Sequence, residues 1–193
     1  MSAISNKISR RPFMAELLAH RGSSLIVTGL GSSSWDCFAA GDGPEILYSW
    51  GGMGLAVPTA LGVALAQPGR RVVCVTGDGE ILMGIGSLGV VADQAPANLA
   101  ILVLDNESFG ETGRQRGLTA GRSDIATVAR GFGIAKTLTV TEQDAAGELA
   151  ELLFKAPGPT LAAAKIAITD DPWALPEKDG TAIAHRFRTV LGL

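Results

Sequence analysis

The sequence predicts an α/β fold: a doubly wound, mostly parallel sheet with helices on both faces. Three observations predict it. Four apolar runs of strand length, 24–28, 71–76, 100–104 and 159–166, carry no polar alternation and read as strands buried on both faces. Segments with helical spacing separate them, and glycine-rich turns follow the strand ends. The length, 193 residues, suits one domain with a full core and is short for two. The expectation is therefore a single domain over 1–193, with its core at about 24–168 and a tail at 171–193.

In order along the chain, Pro12, Phe13, Met14, Leu17 and Leu18 predict a helix over 12–21, with Pro12 in its first turn. Residues 24–28 are a strand ending at Gly29, and Ser33 or Ser34 is a candidate cap for a short helix through Ala40. A turn over 41–44 precedes a short strand at 45–48. Residues 54–67 read as a buried helix stopped by Pro68-Gly69. The strand 71–76 breaks at Gly77-Asp78-Gly79, and one helix follows over 80–93. The strand 100–104 ends at Asp105-Asn106, and a polar loop runs from Glu107 to Ser123. A helix at 124–132, a strand at 136–140, a helix at 142–154, the strand 159–166 and a helix at 181–191 complete the plan.

Composition excludes several classes of function. Lys plus Arg number 16 against 19 Asp plus Glu, a net charge of −3, so no bulk field attracts nucleic acid or an anionic membrane. With 47% hydrophobic and 18% charged residues the chain is neither a disordered tail nor a polyelectrolyte. No apolar run reaches the ~18 residues of a membrane helix, and residues 1–11 lack the apolar stretch of a signal peptide. Cys37 and Cys74 have no CxxC spacing and read as reduced core thiols of a cytoplasmic protein. His20 and His185 form no metal-ligand pattern. Glycine is the outlier, 25 residues against a usual share of ~7%. Without a Gly-X-Y period, that excess implies backbone brought close to another backbone or to a ligand.

Ligands of open α/β sheets bind where strands end, so the strand-end sequences carry the chemistry. Gly77-Asp78-Gly79-Glu80 couples a tight turn to a helix start whose N–H groups suit a phosphate or diphosphate. Asp78 beside such an anion requires a cation between them, and Mg²⁺ or Ca²⁺ meets that need. Asp-Gly is also ordinary turn chemistry. Asn106 separates the two readings, because it stands at the next strand end after the 26 residues Glu80–Asp105. Its amide oxygen and a carbonyl near Ser108 would complete the cation's shell.

This spacing resembles the thiamine-diphosphate (ThDP) signature of the ThDP-dependent enzymes, in their diphosphate-binding domain, over roughly 28–166. Trp50-Gly51-Gly52-Met53-Gly54 extends the likeness, since Met53 falls where the decarboxylase branch places a bulky apolar residue beneath the bent cofactor. Met53 as plain core filling is the alternative. Within the family the chain is most similar to the small subunits of two-chain 2-oxoacid decarboxylases, the sulfopyruvate and phosphonopyruvate decarboxylases. It shares with them the Leu-Met after Gly-Asp-Gly and the aromatic Phe109 after Asn106. It departs from them at Asp105, usually Asn, and at Glu80, usually Ser or Ala. The resemblance implies cofactor contacts at Gly51, Gly52, Met53, Gly77, Asp78, Gly79, Glu80, Asn106, Ser108, Phe109 and Gly110. It implies a Mg²⁺ ion on Asp78, Asn106 and Ser108. At Glu80 only the backbone N–H is assigned.

Two dinucleotide-like stretches fail. Gly84-Ile85-Gly86-Ser87-Leu88-Gly89 begins inside a predicted helix, and Gly29-Leu30-Gly31 lacks the third glycine. The first set is expected to thin its helix for close packing against cofactor, sheet or a partner chain.

The family draws the glutamate that activates the cofactor from a separate pyrimidine-binding domain, for which this length leaves no room. The expectation is half an enzyme, inactive alone and completed by a partner subunit in a hetero-oligomer of two copies of each chain or more. The helices at 54–67 and 80–92 are its expected packing surfaces. Arg114, Arg116 and Arg122 are candidates for an anionic 2-oxoacid's tail, and Glu111 and Thr112 for proton transfer. A carboligase, a 2-oxoacid oxidoreductase β chain and a non-catalytic ThDP-binding subunit are the alternatives.

Overall fold

The computed structural model describes residues 7–193; the sequence reading of residues 1–6 lies outside them. The first half holds α1 (Arg10–Leu18), β1 (Leu25–Thr28), α2 (Ser32–Ala39), β2 (Ile46–Leu47), α3 (Ala56–Ala66), β3 (Val72–Gly77), α4 (Asp78–Met83) and α5 (Ser87–Gln94). The second half holds β4 (Leu99–Asp105), β5 (Ser108–Phe109), β6 (Gln115–Arg116), α6 (Ile125–Phe132), β7 (Lys136–Val140), α7 (Ala146–Ala150), β8 (Thr160–Lys165) and α8 (Gly180–Val190). The main sheet has the order β2-β1-β3-β4-β8-β7, and every pairing in it is parallel.

Both faces of the sheet are covered, as the unbroken apolar runs predict. Val73, Val75, Leu102 and Leu104 pack on one side with Phe13, Met14, Leu17 and Leu149 of α1 and α7. On the other side Val72, Cys74, Ile101 and Val103 pack with Val57, Leu61, Leu88 and Phe187. Each apolar side chain buried this way is worth about 1.5–3 kcal/mol, which is why neither face tolerates a charge. No helix of the described residues is long and apolar enough to cross a membrane.

Four expectations need correction. The helix predicted over 80–93 starts at Asp78 and breaks at Gly84–Gly86 into α4 and α5. At the break Gly84 packs against backbone: a Cβ there would stand 2.1 Å from the carbonyl oxygen of Gly54. Of these glycines Gly84 meets the Gly54 turn and Gly89 meets Phe132, while Gly86 faces open space. Neither Ser33 nor Ser34 caps α2: both lie inside its first turn, and Ser34 Oγ instead donates to Gly29 O at 2.7 Å. The segment 142–154 divides into a 3₁₀ turn, α7 and a π-helical turn (Glu151–Lys155). The loop 107–123 contains the small hairpin β5–β6.

Register then decides what meets at the sheet's C-terminal edge. β3 and β4 pair with Gly77 opposite Leu104, so Asp78 emerges beside Asp105. β4 and β8 pair with Asp105 opposite Lys165. With β2 on one side of β1 and β3 on the other, the winding reverses between β1 and β3, the kind of place at which open α/β sheets bind ligands.

Candidate active site

Asp78 opens α4 with its carboxylate almost closed off, at 3% exposure. Its Oδ2 lies 3.0 Å from the Thr119 hydroxyl, which also lies 2.8 Å from Asp105 Oδ1. The buried Asp105 is answered on its other oxygen by Lys165 Nζ at 2.7 Å. Lys165 also reaches Glu107 at 3.1 Å, and Lys7 holds the second Glu107 oxygen at 2.6 Å. Asp78 receives no such cation: among the described residues no Lys or Arg forms an ion pair with it. Burial, and then the charge of Asp105, push its carboxyl up to about 6. Lys165 moves the other way from what burial demands, because Asp105 and Glu107 together hold its ammonium charged. Glu107 is held below the ordinary carboxylate range by Lys7, and less strongly by Lys165.

The Asn106 turn closes over this carboxylate. Asn106 Oδ1 accepts the Ser108 N–H at 2.9 Å, and an amide oxygen has a second lone pair. Glu107 takes the left-handed conformation, φ 63°, and its carbonyl accepts from Gly117 N at 2.8 Å. Gly117 is required there, since a Cβ would sit 3.0 Å from Asp78 Oδ2 and 2.9 Å from the Glu107 carbonyl carbon. Asp78 and the Asn106–Ser108 turn are thereby brought against one another. They offer one carboxylate, one amide oxygen and main-chain carbonyls, with no cluster of three His, Cys, Asp or Glu among the described residues. Hard oxygens in that number suit a Mg²⁺ ion whose shell is completed by phosphate and water. The uncompensated charge of Asp78 is what makes the fit.

Glu80 turns away from the rim. Its Oε2 accepts from Thr76 Oγ1 at 2.9 Å and from Leu30 N at 3.1 Å, and burial raises its pKa. A Cβ on Gly29 would lie 1.7 Å from that oxygen, so Gly29 is the space into which Glu80 folds. The side chain ties the turn after β1 to the turn after β3. The Glu80 side chain is thereby committed within the fold.

The Gly51-Gly52-Met53-Gly54 turn stands beside α4, with positive φ at Gly52 and Gly54. Met53 is 38% exposed, which sets aside the alternative of plain core. Around it Trp50, Leu55, Met83 and Val90 are exposed too, an apolar rim on the turn and on α4 and α5. Open space lies in front of Gly51 and Gly77, while Gly79 is backed by the Phe109 ring. Ser108 is buried, its hydroxyl donating to Gln115 O at 3.2 Å, and Gly110 lies beside the Asn106 amide.

The remaining candidates sit farther out. Glu111 is exposed and lays its carboxylate against Gly31 at the start of α2. The Thr112 hydroxyl donates to Gln115 Oε1 at 2.9 Å. Arg114 pairs with Asp170, Arg116 bonds the Ala120 carbonyl, and Arg122 is exposed. Thr119, Gly117 and Lys165 were not singled out from sequence. Lys165 had a signal, a lysine ending an apolar strand; Thr119 in its polar loop had none.

Comparison with known proteins identifies the family and the fold. Residues 37–164 match the thiamine pyrophosphate enzyme, C-terminal TPP binding domain. The chain is 37% identical over 167 residues to a phosphonopyruvate decarboxylase of Streptomyces viridochromogenes, covering 86% of this chain and 42% of that protein. It is 41% identical over 109 residues to sulfopyruvate decarboxylase subunit beta of Methanothermobacter thermautotrophicus, covering 56% of this chain and 58% of that one. It thus spans about half the length of these curated relatives. Its fold is shared with a solved structure, the thiamine diphosphate-dependent 4-hydroxybenzoylformate decarboxylase of Rhodococcus jostii RHA1. The TM-score is 0.67 at 22% identity, over 88% of this chain and 34% of that one. The chain belongs to the thiamine pyrophosphate enzymes, through their C-terminal TPP-binding domain.

Proposed function

We propose that this chain is the diphosphate-binding subunit of a cytoplasmic, two-chain ThDP- and Mg²⁺-dependent decarboxylase. Its substrate is a 3-substituted pyruvate such as sulfopyruvate or phosphonopyruvate, converted to an aldehyde and CO₂. One observation carries the reading: Asp78 is a buried carboxylate without a countercharge, beside a second carboxylate, at a strand end. A divalent cation between Asp78 and a diphosphate supplies the missing charge. Names of relatives that decarboxylate these two acids support the substrate class.

Asp78, Asn106 Oδ1 and the Ser108 carbonyl would hold Mg²⁺, and the backbone of Gly77, Gly79 and Glu80 would face the diphosphate. Met53, with Gly51 and Gly52, would support the cofactor's rings, and Phe109 and Gly110 would line the same wall. When bound, ThDP supplies a carbon nucleophile that accepts the electrons released with CO₂. This chain contributes binding and orientation. The glutamate that activates the cofactor comes from the partner subunit, whose place is the exposed rim of Met53, Leu55, Met83 and Val90. Arg116 or Arg122 meets the anionic tail more readily than Arg114, which Asp170 engages. Glu111 and Thr112 stand at the mouth for proton transfer. One domain spans the whole chain in this reading, and both cysteines, buried and free, fit a reducing cytoplasm.

The test is reconstitution. The chain is assayed alone and with its co-encoded partner, given ThDP and Mg²⁺, against sulfopyruvate, phosphonopyruvate, pyruvate and benzoylformate. Activity is expected only from the pair, with the first two acids preferred. A pair that binds neither ThDP nor Mg²⁺ would sink the proposal.

A further inference from the structure

The Mg²⁺ reading names the ligands but leaves open what aims Asp78 at the ion. Behind it the buried Asp105 and Thr119 and the half-buried Lys165 share one short chain of contacts. Lys165 Nζ lies 2.7 Å from Asp105 Oδ2, Asp105 Oδ1 lies 2.8 Å from Thr119 Oγ1, and Thr119 Oγ1 lies 3.0 Å from Asp78 Oδ2. Charge and proton counts along it are informative. Two carboxylates meet one ammonium, so one negative charge is left over. Two carboxylate oxygens meet one hydroxyl, which carries one proton.

Asp105 is already well satisfied, by Lys165 on one oxygen and by the Glu107 N–H at 3.1 Å on the other. Among the described residues Asp78 pairs with no Lys or Arg, so the Thr119 proton matters most to it. Thr119 is itself 5% exposed, so water cannot stand in for its hydroxyl. The contact turns Asp78 Oδ2 inward, toward Thr119 and Gly117.

Resting on the Mg²⁺–ThDP reading, we infer that Thr119 is a positioning residue of the cation site. Its hydroxyl, set between Asp105 and Asp78, gives its one proton to Asp78 Oδ2 and so orients that carboxylate toward the ion. Thr119 touches neither cofactor nor substrate. Its effect falls on metal affinity and not on the chemical step, as outer-shell partners of metal ligands generally behave.

The experiment measures the Mg²⁺ dependence of ThDP binding by calorimetry on the chain assembled with its partner, with Mn²⁺ electron paramagnetic resonance as a second readout. Thr119→Val should raise the half-saturating Mg²⁺ concentration about 10–100-fold. Thr119→Ser, which restores the hydroxyl, should stay close to the wild-type value. At saturating Mg²⁺ both variants should match the wild type in ThDP affinity and in kcat. Thermal midpoints are read in parallel. Should Thr119→Val not fold, Thr119→Ala removes the hydroxyl without pressing a methyl on the carboxylates, and the same shift is expected.

Unchanged Mg²⁺ dependence in the hydroxyl-free variant, or failure of Thr119→Ser to restore it, overturns the inference. Asp78→Ala, measured alongside, separates the two levels. If it too leaves the Mg²⁺ dependence intact, the cation site itself is misassigned. If it abolishes binding while the hydroxyl-free variant behaves as wild type, only the role of Thr119 falls.

Discussion

Asp36 and Asp78 are both buried carboxylates, yet their surroundings are opposite. Asp36, on α2, accepts from Arg11 Nε at 2.9 Å and has Arg10 Nε 3.4 Å from its other oxygen. Arg10 reaches on to Asp171 at 3.1 Å, and nearby Trp35 stacks on Trp173 with ring centroids 5.4 Å apart. Burial still pushes the Asp36 carboxyl up, but two guanidiniums oppose it. Asp78 has only a hydroxyl and neighbouring backbone N–H groups to oppose burial and the field of Asp105. Burial alone therefore says little about function. A buried charge that the fold itself completes is structural, and one that it leaves incomplete marks the place of a ligand.

The largest expected contrast is between two alanine variants. Asp36→Ala leaves Arg11 without its carboxylate and Arg10 with Asp171 alone, and should cost about 3–5 kcal/mol of stability in urea unfolding. ThDP affinity per folded molecule should be unchanged. Asp78→Ala should do the reverse, leaving unliganded stability equal or higher while Mg²⁺-dependent ThDP binding weakens by more than about 100-fold. Equal losses of stability in both variants would erase the distinction.

The pH dependence of the unliganded protein comes next in size. The Asp78 pKa is raised in the folded state from 3.8 to about 6, so the folded chain binds the extra proton. Its contribution is fully present below pH ~4 and is lost as pH rises through ~6, an effect of up to about 3 kcal/mol. Asp78→Asn should flatten that slope in a series of thermal midpoints against pH, and saturating Mg²⁺ with ThDP should flatten it in the wild type. A slope unchanged in Asp78→Asn would assign the titration elsewhere.

Glu80 is intermediate between the two aspartates, answered by one hydroxyl and one backbone N–H. Gly29→Ala drives a Cβ into its carboxylate and should cost about 1–3 kcal/mol. Glu80→Ser in the same chain should recover most of that loss, and a double-mutant cycle measures the coupling. Additive losses would show that Gly29 is needed for its backbone alone. The smallest effect is expected at Asp171, which is partly exposed on the far side of Arg10. Asp171→Asn should cost under about 1 kcal/mol and leave cofactor binding untouched.

How much of this was legible depends on the range of the interaction involved. The strands around Val72–Thr76 and Ala100–Leu104 were readable because a β-branched or apolar run buried on both faces is a local pattern. The segment 80–93 reads as one helix in sequence, whereas its break sits where Gly84 meets Gly54, a residue distant along the chain. Asp78 and Asn106 were found through the spacing of two strand ends. Asp105 shows in the sequence only as a departure from the usual Asn, since nothing near it in sequence carries the charge that pairs with it.

The sequence by itself determined the α/β class, the strand ends at which backbone lies open, and the oxygen donors placed there. These are properties of short segments, set by burial pattern and turn chemistry. Only the tertiary structure decided which charge answers which. Parallel register carries Lys165 to Asp105, and a loop brings the Thr119 hydroxyl between two carboxylates. Coulomb interactions act through space and are strongest where water is excluded, so the partner of a buried charge is a fact of folding.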